Sequence, residues 1–430
     1  MRRWLMLPVL AAAIFPAQAA AAERLAWTRP VTLQREVGGD LLFAYFVSTP
    51  SGRRTVLVDS GTEHGIKVFP RRKGARFGAP IAVPGDRGSL SEGVAINDSG
   101  AMAFGWTDYA QDPPANDEDD PCWCRPKAVV RRASGRFGPV ARLDRPAAAQ
   151  YAPWVDIDEH GAATAIWKRW RALRVAFAGP VGPFRRSRTV AKPVDDYLID
   201  YVNRHVLLRW PIGRQWYEAR SPFVHSHRTR DPGYGFFEDG TAIAGDERGN
   251  ELLVSATGET RDVTVRYRRA GGSFGPPRTI ARAGRVGALC DVGAVMNRRG
   301  EVFAAWDCDP SGAFGEGSYA QGAYLSRTGH LRALSRRHPA LSAGLSMGIS
   351  LDDRGRALAA WQAPSYDVLF SLVGAHHRFL GFPRIARGPV DDAMSVDVMV
   401  AHGGLGLATW YDWPSGKRQR VRVASIRLPR

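Results

Sequence analysis

The apolar and polar positions of this chain form a repeating phrase. A short run of apolar and small residues meets a turn closed by Gly, in most copies with Asp or Asn three places before it, and a second apolar run then ends in Trp. VAINDSGAMAFGW ends at Trp106, VDIDEHGAATAIW at Trp167, AVMNRRGEVFAAW at Trp306, ISLDDRGRALAAW at Trp361 and VMVAHGGLGLATW at Trp410. Gly precedes Trp by six residues in all five. Asp or Asn at that spacing marks a type I turn, in which the side chain caps the first position and Gly accepts a positive φ. The flanking residues alternate, or run small and apolar, as strands do, so each phrase predicts a β-hairpin.

A second phrase follows each hairpin: GARFGAP around Phe77, GRFGPV around Phe137, GSFGPP around Phe274, and looser forms around Phe184 and Phe379. Before it stands a strand such as KAVVRRA (127–133) or VTVRYRR (263–269). Each repeat therefore predicts four strands, and the last is an edge strand, where Pro is tolerated because no outer donor is needed. From Gly100 to Gly404 the repeat recurs about every 51 residues. Four-stranded units repeated around an axis are propeller blades.

The expected fold is all-β, a single β-propeller over residues 23–430 with about eight blades, seven being the alternative. One degenerate blade turns near His205 and reaches Trp210; another turns at Gly249 and has Ser255 in place of Trp. The first hairpin is expected around Gly39, with Tyr45 at the Trp position. One outer strand must then be shared between the chain ends, and residues 25–34 are placed to complete the last blade beside RVRVASIRL.

These repeats resemble the repeat propellers exported by bacteria, loosely akin to sialidase and WD40-like architectures. The resemblance implies shape, not catalysis. The sialidase-type Asp box has Trp three residues after Gly, whereas here the offset is six, and FPRIA (382–386) reads as an outer strand.

Arg2 and Arg3, an apolar stretch from Trp4 to Phe15 and the small-residue site Ala17-Gln18-Ala19 read as an export signal over residues 1–22, with Ala20–Ala22 a second cleavage option. No later stretch is apolar enough to span a bilayer. A secreted or periplasmic monomer is expected. The formal net charge is +17, and only six of the 59 basic residues are Lys. Attraction to an anionic envelope polymer or membrane surface competes with a purely compositional origin. Export argues against nucleic acid, and the spread of Arg through every repeat argues against a patch. Four Cys in an exported chain suggest disulfides. Folding the hairpin about Asn297–Gly300 brings Cys290 opposite Cys308, leaving Cys122 and Cys124 to pair internally or stay reduced.

Insertions expected at 48–62 and 107–125 fall between the second and third strands, on one face of the ring, which is the usual binding side of a repeat array. The longer one is acidic, and Asn116, Asp117, Asp119 and Asp120 offer oxygen ligands suited to calcium, though at no standard spacing. No other cofactor is expected. Further acids and aromatics fall just after the Trp strands or in the connections between blades: Asp108, Tyr109, Trp170, Asp195, Asp196, Asp291, Asp307, Asp391, Asp392, Tyr411 and Asp412. Gathered at a channel mouth, they suit a sugar or cationic ligand. Gly344-Leu345-Ser346-Met347-Gly348 matches a nucleophile elbow but leads into a strand rather than a helix. The expected function is an exported propeller that binds a protein, glycan or envelope polymer. A glycoside-hydrolase-like enzyme using a pair of face carboxylates is the alternative.

Overall fold

The structure is a computed structural model that describes residues 25–35, 42–49, 53–61, 65–71, 76–86, 91–109, 123–148, 153–169, 171–180, 182–192, 198–202, 205–212, 215–220, 226–229, 240–246, 248–256, 262–282, 289–309, 319–339, 347–362, 368–387, 396–412 and 420–429. The expected export signal lies outside them. Among the described residues there are eight antiparallel sheets, five of four strands and three of five. The inner strands, in chain order, are Leu42–Ser48, Ser91–Ile96, Trp154–Ile157, Leu198–Val202, Thr241–Gly245, Leu289–Met296, Gly348–Leu351 and Val396–Ala401. The inner strand of each blade packs against the next blade, and blade eight packs against blade one, so the ring is closed with eight blades.

The closing blade is built from both ends of the chain. Val31–Arg35 pairs with Arg420–Arg427 as the fourth strand of blade eight, as the pattern of residues 25–34 predicts. Trp27 donates to the Ser371 hydroxyl at 2.9 Å, and Thr28 bonds the backbone of Ser425, which fastens this strand to blades seven and eight. The sequence reading of the first hairpin is corrected here. The strand carrying Tyr45 is the innermost of blade one and turns at residues 49–54, where the Thr49 N–H bonds the Arg54 carbonyl. The stretch 48–62 is thus an ordinary inner hairpin rather than an insertion. Gly39 precedes blade one, in the run between the closing strand and Leu42.

The hairpin turns form as expected, five with Asp or Asn at the first position and the sixth with Ala401. Gly100, Gly161, Gly249, Gly300, Gly355 and Gly404 all have φ between 74° and 90°. Asn297 accepts from the N–H groups of Arg299 and Glu301, both at 3.0 Å, and Asp352 accepts from Arg354 and Arg356, both at 2.9 Å. Successive turns also bond each other: Asn97 donates to the Asp158 carbonyl at 2.8 Å and Asn297 to the Asp352 carbonyl at 2.9 Å. These inner turns and the turns between third and fourth strands share one face of the ring, the turn face. The opposite, loop face receives the connections after each Trp strand.

The core lies in the seams between blades. Each Trp of the five clear repeats is at most 1 % exposed and packs back onto the preceding blade. Trp306 meets Leu252, Val254 and Val265 of blade five, and Trp361 meets Ala305, Ala320 and Tyr324 of blade six. Trp410 likewise meets Leu358, Leu369 and Val373 of blade seven. Inner strands approach so closely that side chains are excluded at some positions. A Cβ on Gly93 would lie 2.6 Å from the Pro153 carbonyl oxygen.

Candidate functional site

Successive residues of a strand point to opposite sides. Because Trp faces back into one seam, the residue after it faces forward into the next seam, not out of the loop face. Tyr411 follows Trp410 and is 5 % exposed; its hydroxyl donates to the Asp59 carboxylate of blade one. Asp59 itself stands five residues beyond the turn-closing Arg54, as Trp106 stands five beyond Ala101. Asp59 therefore occupies the Trp position of blade one. The closing seam has a buried hydrogen-bonded pair where five others have an indole.

Asp307 follows Trp306 and is fully buried. It faces blade seven on the side of Ala305 and Ala320, where Trp361 packs. Neither of its carboxylate oxygens has a hydrogen-bond partner of good geometry. In the strand register it stands directly opposite Asp291 on the inner strand. Burial first, and then the charge of Asp291, pushes its pKa well above the usual carboxylate range. The backbone N–H groups of Asp307 and Asp291 offset this only in part. Asp291 is partly exposed. The pair thus sets a carboxyl that readily holds a proton beside a second acid nearer solvent, the arrangement from which acid and base roles are separated.

Asp108 is partly exposed and ion-paired with Lys127 on the adjoining strand. Tyr109 and Asp412 end their strands, with side chains outside the described residues. Trp170, Asp195, Asp196, Asp391, Asp392, Asn116, Asp117, Asp119 and Asp120 also lie outside them. Among the described residues no group of three or more His, Cys, Asp and Glu could hold a metal ion. Cys290 and Cys308 form a disulfide, as the hairpin register predicts, and Cys124 is also disulfide-bonded.

One partly buried acid escaped the sequence reading. Asp397 on the inner strand of blade eight accepts from the Phe46 N–H of blade one at 2.6 Å and from the Val398 N–H at 2.8 Å. Burial outweighs those two bonds and its pKa is pushed up to about 6. The visible signal was an acid inside an apolar strand, VDVMV, echoed by VDI around Asp156. On the other side of the ring, a cavity of about 320 Å³ opens where blade eight meets blade one. It is lined by Arg71, His402, Gly403, Gly404, Leu405 and the Arg427–Leu428 strand end, all on the turn face.

No family model and no curated protein matches this chain. Solved structures to which this chain shows similarity include an ulvan lyase from a new polysaccharide lyase family, at 11 % identity and a TM-score of 0.45, covering 91 % of this chain and 95 % of that one. A protein of unknown function from Dyadobacter fermentans matches at 12 % identity and a TM-score of 0.40, covering 94 % and 99 %. The NanB sialidase of Streptococcus pneumoniae matches at 7 % identity and a TM-score of 0.40, covering 95 % and 72 %.

Proposed function

We propose that this chain is an exported, monomeric binding module, a closed ring whose loop face engages a protein or glycan ligand. The observation that carries this reading is the use made of the polar groups beneath that face. Tyr411 is bonded to Asp59 inside a seam, and Asp108 is paired with Lys127. Such groups stiffen a scaffold, and recognition falls to the connections mounted on it, as is usual for loops on a rigid frame. No cofactor is needed. A glycan array and a panel of exported proteins, probed with the mature chain, test the reading. Selective binding lost on exchanging residues 111–121, between the strands that end at Tyr109 and begin at Trp123, for a short turn supports it, and binding indifferent to that exchange overturns it.

A second reading, glycoside cleavage, is favoured by one observation: Asp307 combines burial and a raised pKa with an aligned neighbour, Asp291. Cleavage of any glycoside substrate, abolished by Asp307→Asn while the fold is kept, would replace the first reading with this one.

A further inference from the structure

Arginines scattered evenly along a repeating chain do not stay scattered in a ring. Four of the eight blades, the first, fifth, sixth and seventh, carry Arg in their inner turns, and the ring sets those turns on one face. The inner turns contribute Arg53, Arg54, Arg248, Arg298, Arg299 and Arg354, every one exposed. The outer turns add exposed Arg76, Arg136, Arg269 and Arg378 on the same face. Direct contacts between blades confirm the shared face: Arg54 donates to the Asp98 carbonyl at 3.1 Å, and Arg298 pairs with Asp353 at 3.8 Å.

The cavity at the closing seam lies within this basic face. Its lining holds Arg71, His402 and Arg427 and no acid. Gly403 and Gly404 both have positive φ, at 86° and 82°, and a Gly403 side chain would meet nothing within 4 Å. Backbone is therefore open to a ligand there. Arg71 is partly buried in this lining, where a charge-assisted bond to an oxyanion is stronger than in open water.

We propose that the turn face binds an acidic polysaccharide, with a carboxylate or sulfate group seated in the Arg71–His402–Arg427 cavity and the chain running over the ring of turn arginines. Guanidinium groups suit such planar or tetrahedral oxyanions because they offer paired donors. Three observations favour this occupant over other polyanions. Among the described residues the exposed large apolar side chains, Val31, Leu331, Leu334 and Leu380, sit on outer strands, and none of them offers a wedge to a bilayer from a described turn. Phe137 and Phe274 are tucked beneath Arg131 and Arg268, not offered as stacking platforms for bases. A buried disulfide suits an oxidising compartment, where polysaccharide is the common polyanion. This proposal concerns the face opposite the one in the proposed function and does not rest on it.

The test measures binding of the full chain to polygalacturonate and heparin, with dextran as the neutral control, in low and high salt. Anionic phospholipid vesicles and duplex DNA are run in parallel. The expected result is saturable, salt-sensitive binding to an acidic polysaccharide and none to dextran. Replacing Arg248, Arg299 and Arg354 together by Gln should weaken it about tenfold. Replacing Arg142, Arg278 and Arg282, exposed on outer strands, should leave it within about twofold. Equal losses in both triple variants would show attraction to net charge alone and overturn the proposal. Tighter binding to vesicles or DNA than to either acidic polysaccharide also overturns it. Arg427→Gln should weaken a short acidic oligosaccharide more than a long chain, and no effect on the oligosaccharide would remove the cavity from the site.

Discussion

Tyr411 of the last blade donates its hydroxyl to Asp59 of the first, across the seam where the two ends of the ring meet. Both residues are buried, at 5 % and 0 % exposure. Removing one member of a buried hydrogen-bonded pair costs about 1–3 kcal/mol, because the buried bond is lost without access to water. Tyr411→Phe should therefore lower stability by that amount. Adding Asp59→Leu to it should recover much of the loss, since both polar groups are then gone. Urea midpoints of the two single variants and the double variant give the coupling; additive losses would show that the pair is not one unit.

The seam indoles carry more weight. Trp361→Ala should cost about 3–5 kcal/mol, by lost burial and an unfilled cavity against Phe303 and Tyr324. Leu331→Ala, at a site 44 % exposed, should stay within about 0.5 kcal/mol. Equal effects in a thermal melt would mean that blade six and blade seven are not packed through Trp361.

Stability should depend on pH through Asp397. Its pKa of about 6 exceeds the value of about 4 for an unfolded Asp. Between those values the folded chain keeps a proton that the unfolded chain releases. Stability from this group is therefore full below about pH 4, falls as pH rises, and levels off above about pH 6. The expected size is about 2 kcal/mol. Asp307 acts in the same sense. The measurement is the difference in urea midpoint between wild type and Asp397→Asn from pH 4 to pH 7. A difference that does not change over this range would contradict the assignment.

The Cys290–Cys308 disulfide closes a loop of 18 residues, and such a link contributes about 3 kcal/mol by restricting the unfolded chain. Cys290→Ala with Cys308→Ala should lose stability on that scale while keeping the fold, since both positions sit in an apolar cluster around Trp306. Mass mapping without reductant checks the link directly.

The periodic parts of this fold were legible because the same physics recurs in every repeat. A turn that needs Gly at positive φ and a seam that needs a large apolar residue write themselves into the chain at a fixed offset of six. The closing strand was legible as well, from LAWTRPVTLQ and a blade short of one partner. Blade one was misread because its Trp position holds Asp59, while Gly39 upstream imitates a turn glycine. Asp307 and Tyr411 were expected at an open mouth because they follow Trp. A shift of one residue along a strand reverses the side chain, and both enter a seam instead. The turn-face arginines were read as dispersed because distance along the chain says nothing about distance around a ring.

The closing blade also sets an order of events. The bonds that lock it join residues far apart in sequence: Thr28 with Ser425, separated by 397 positions, and Phe46 with Asp397, separated by 351. Contacts of such range form late, after local hairpins have assembled. Until then Arg420–Arg427 is a bare strand edge, and an unpaired edge is a template for a neighbouring chain. Its alternate arginines, Arg420 and Arg422, place charge along that edge. The same residues that finish the ring thus guard the half-made protein against joining its neighbours.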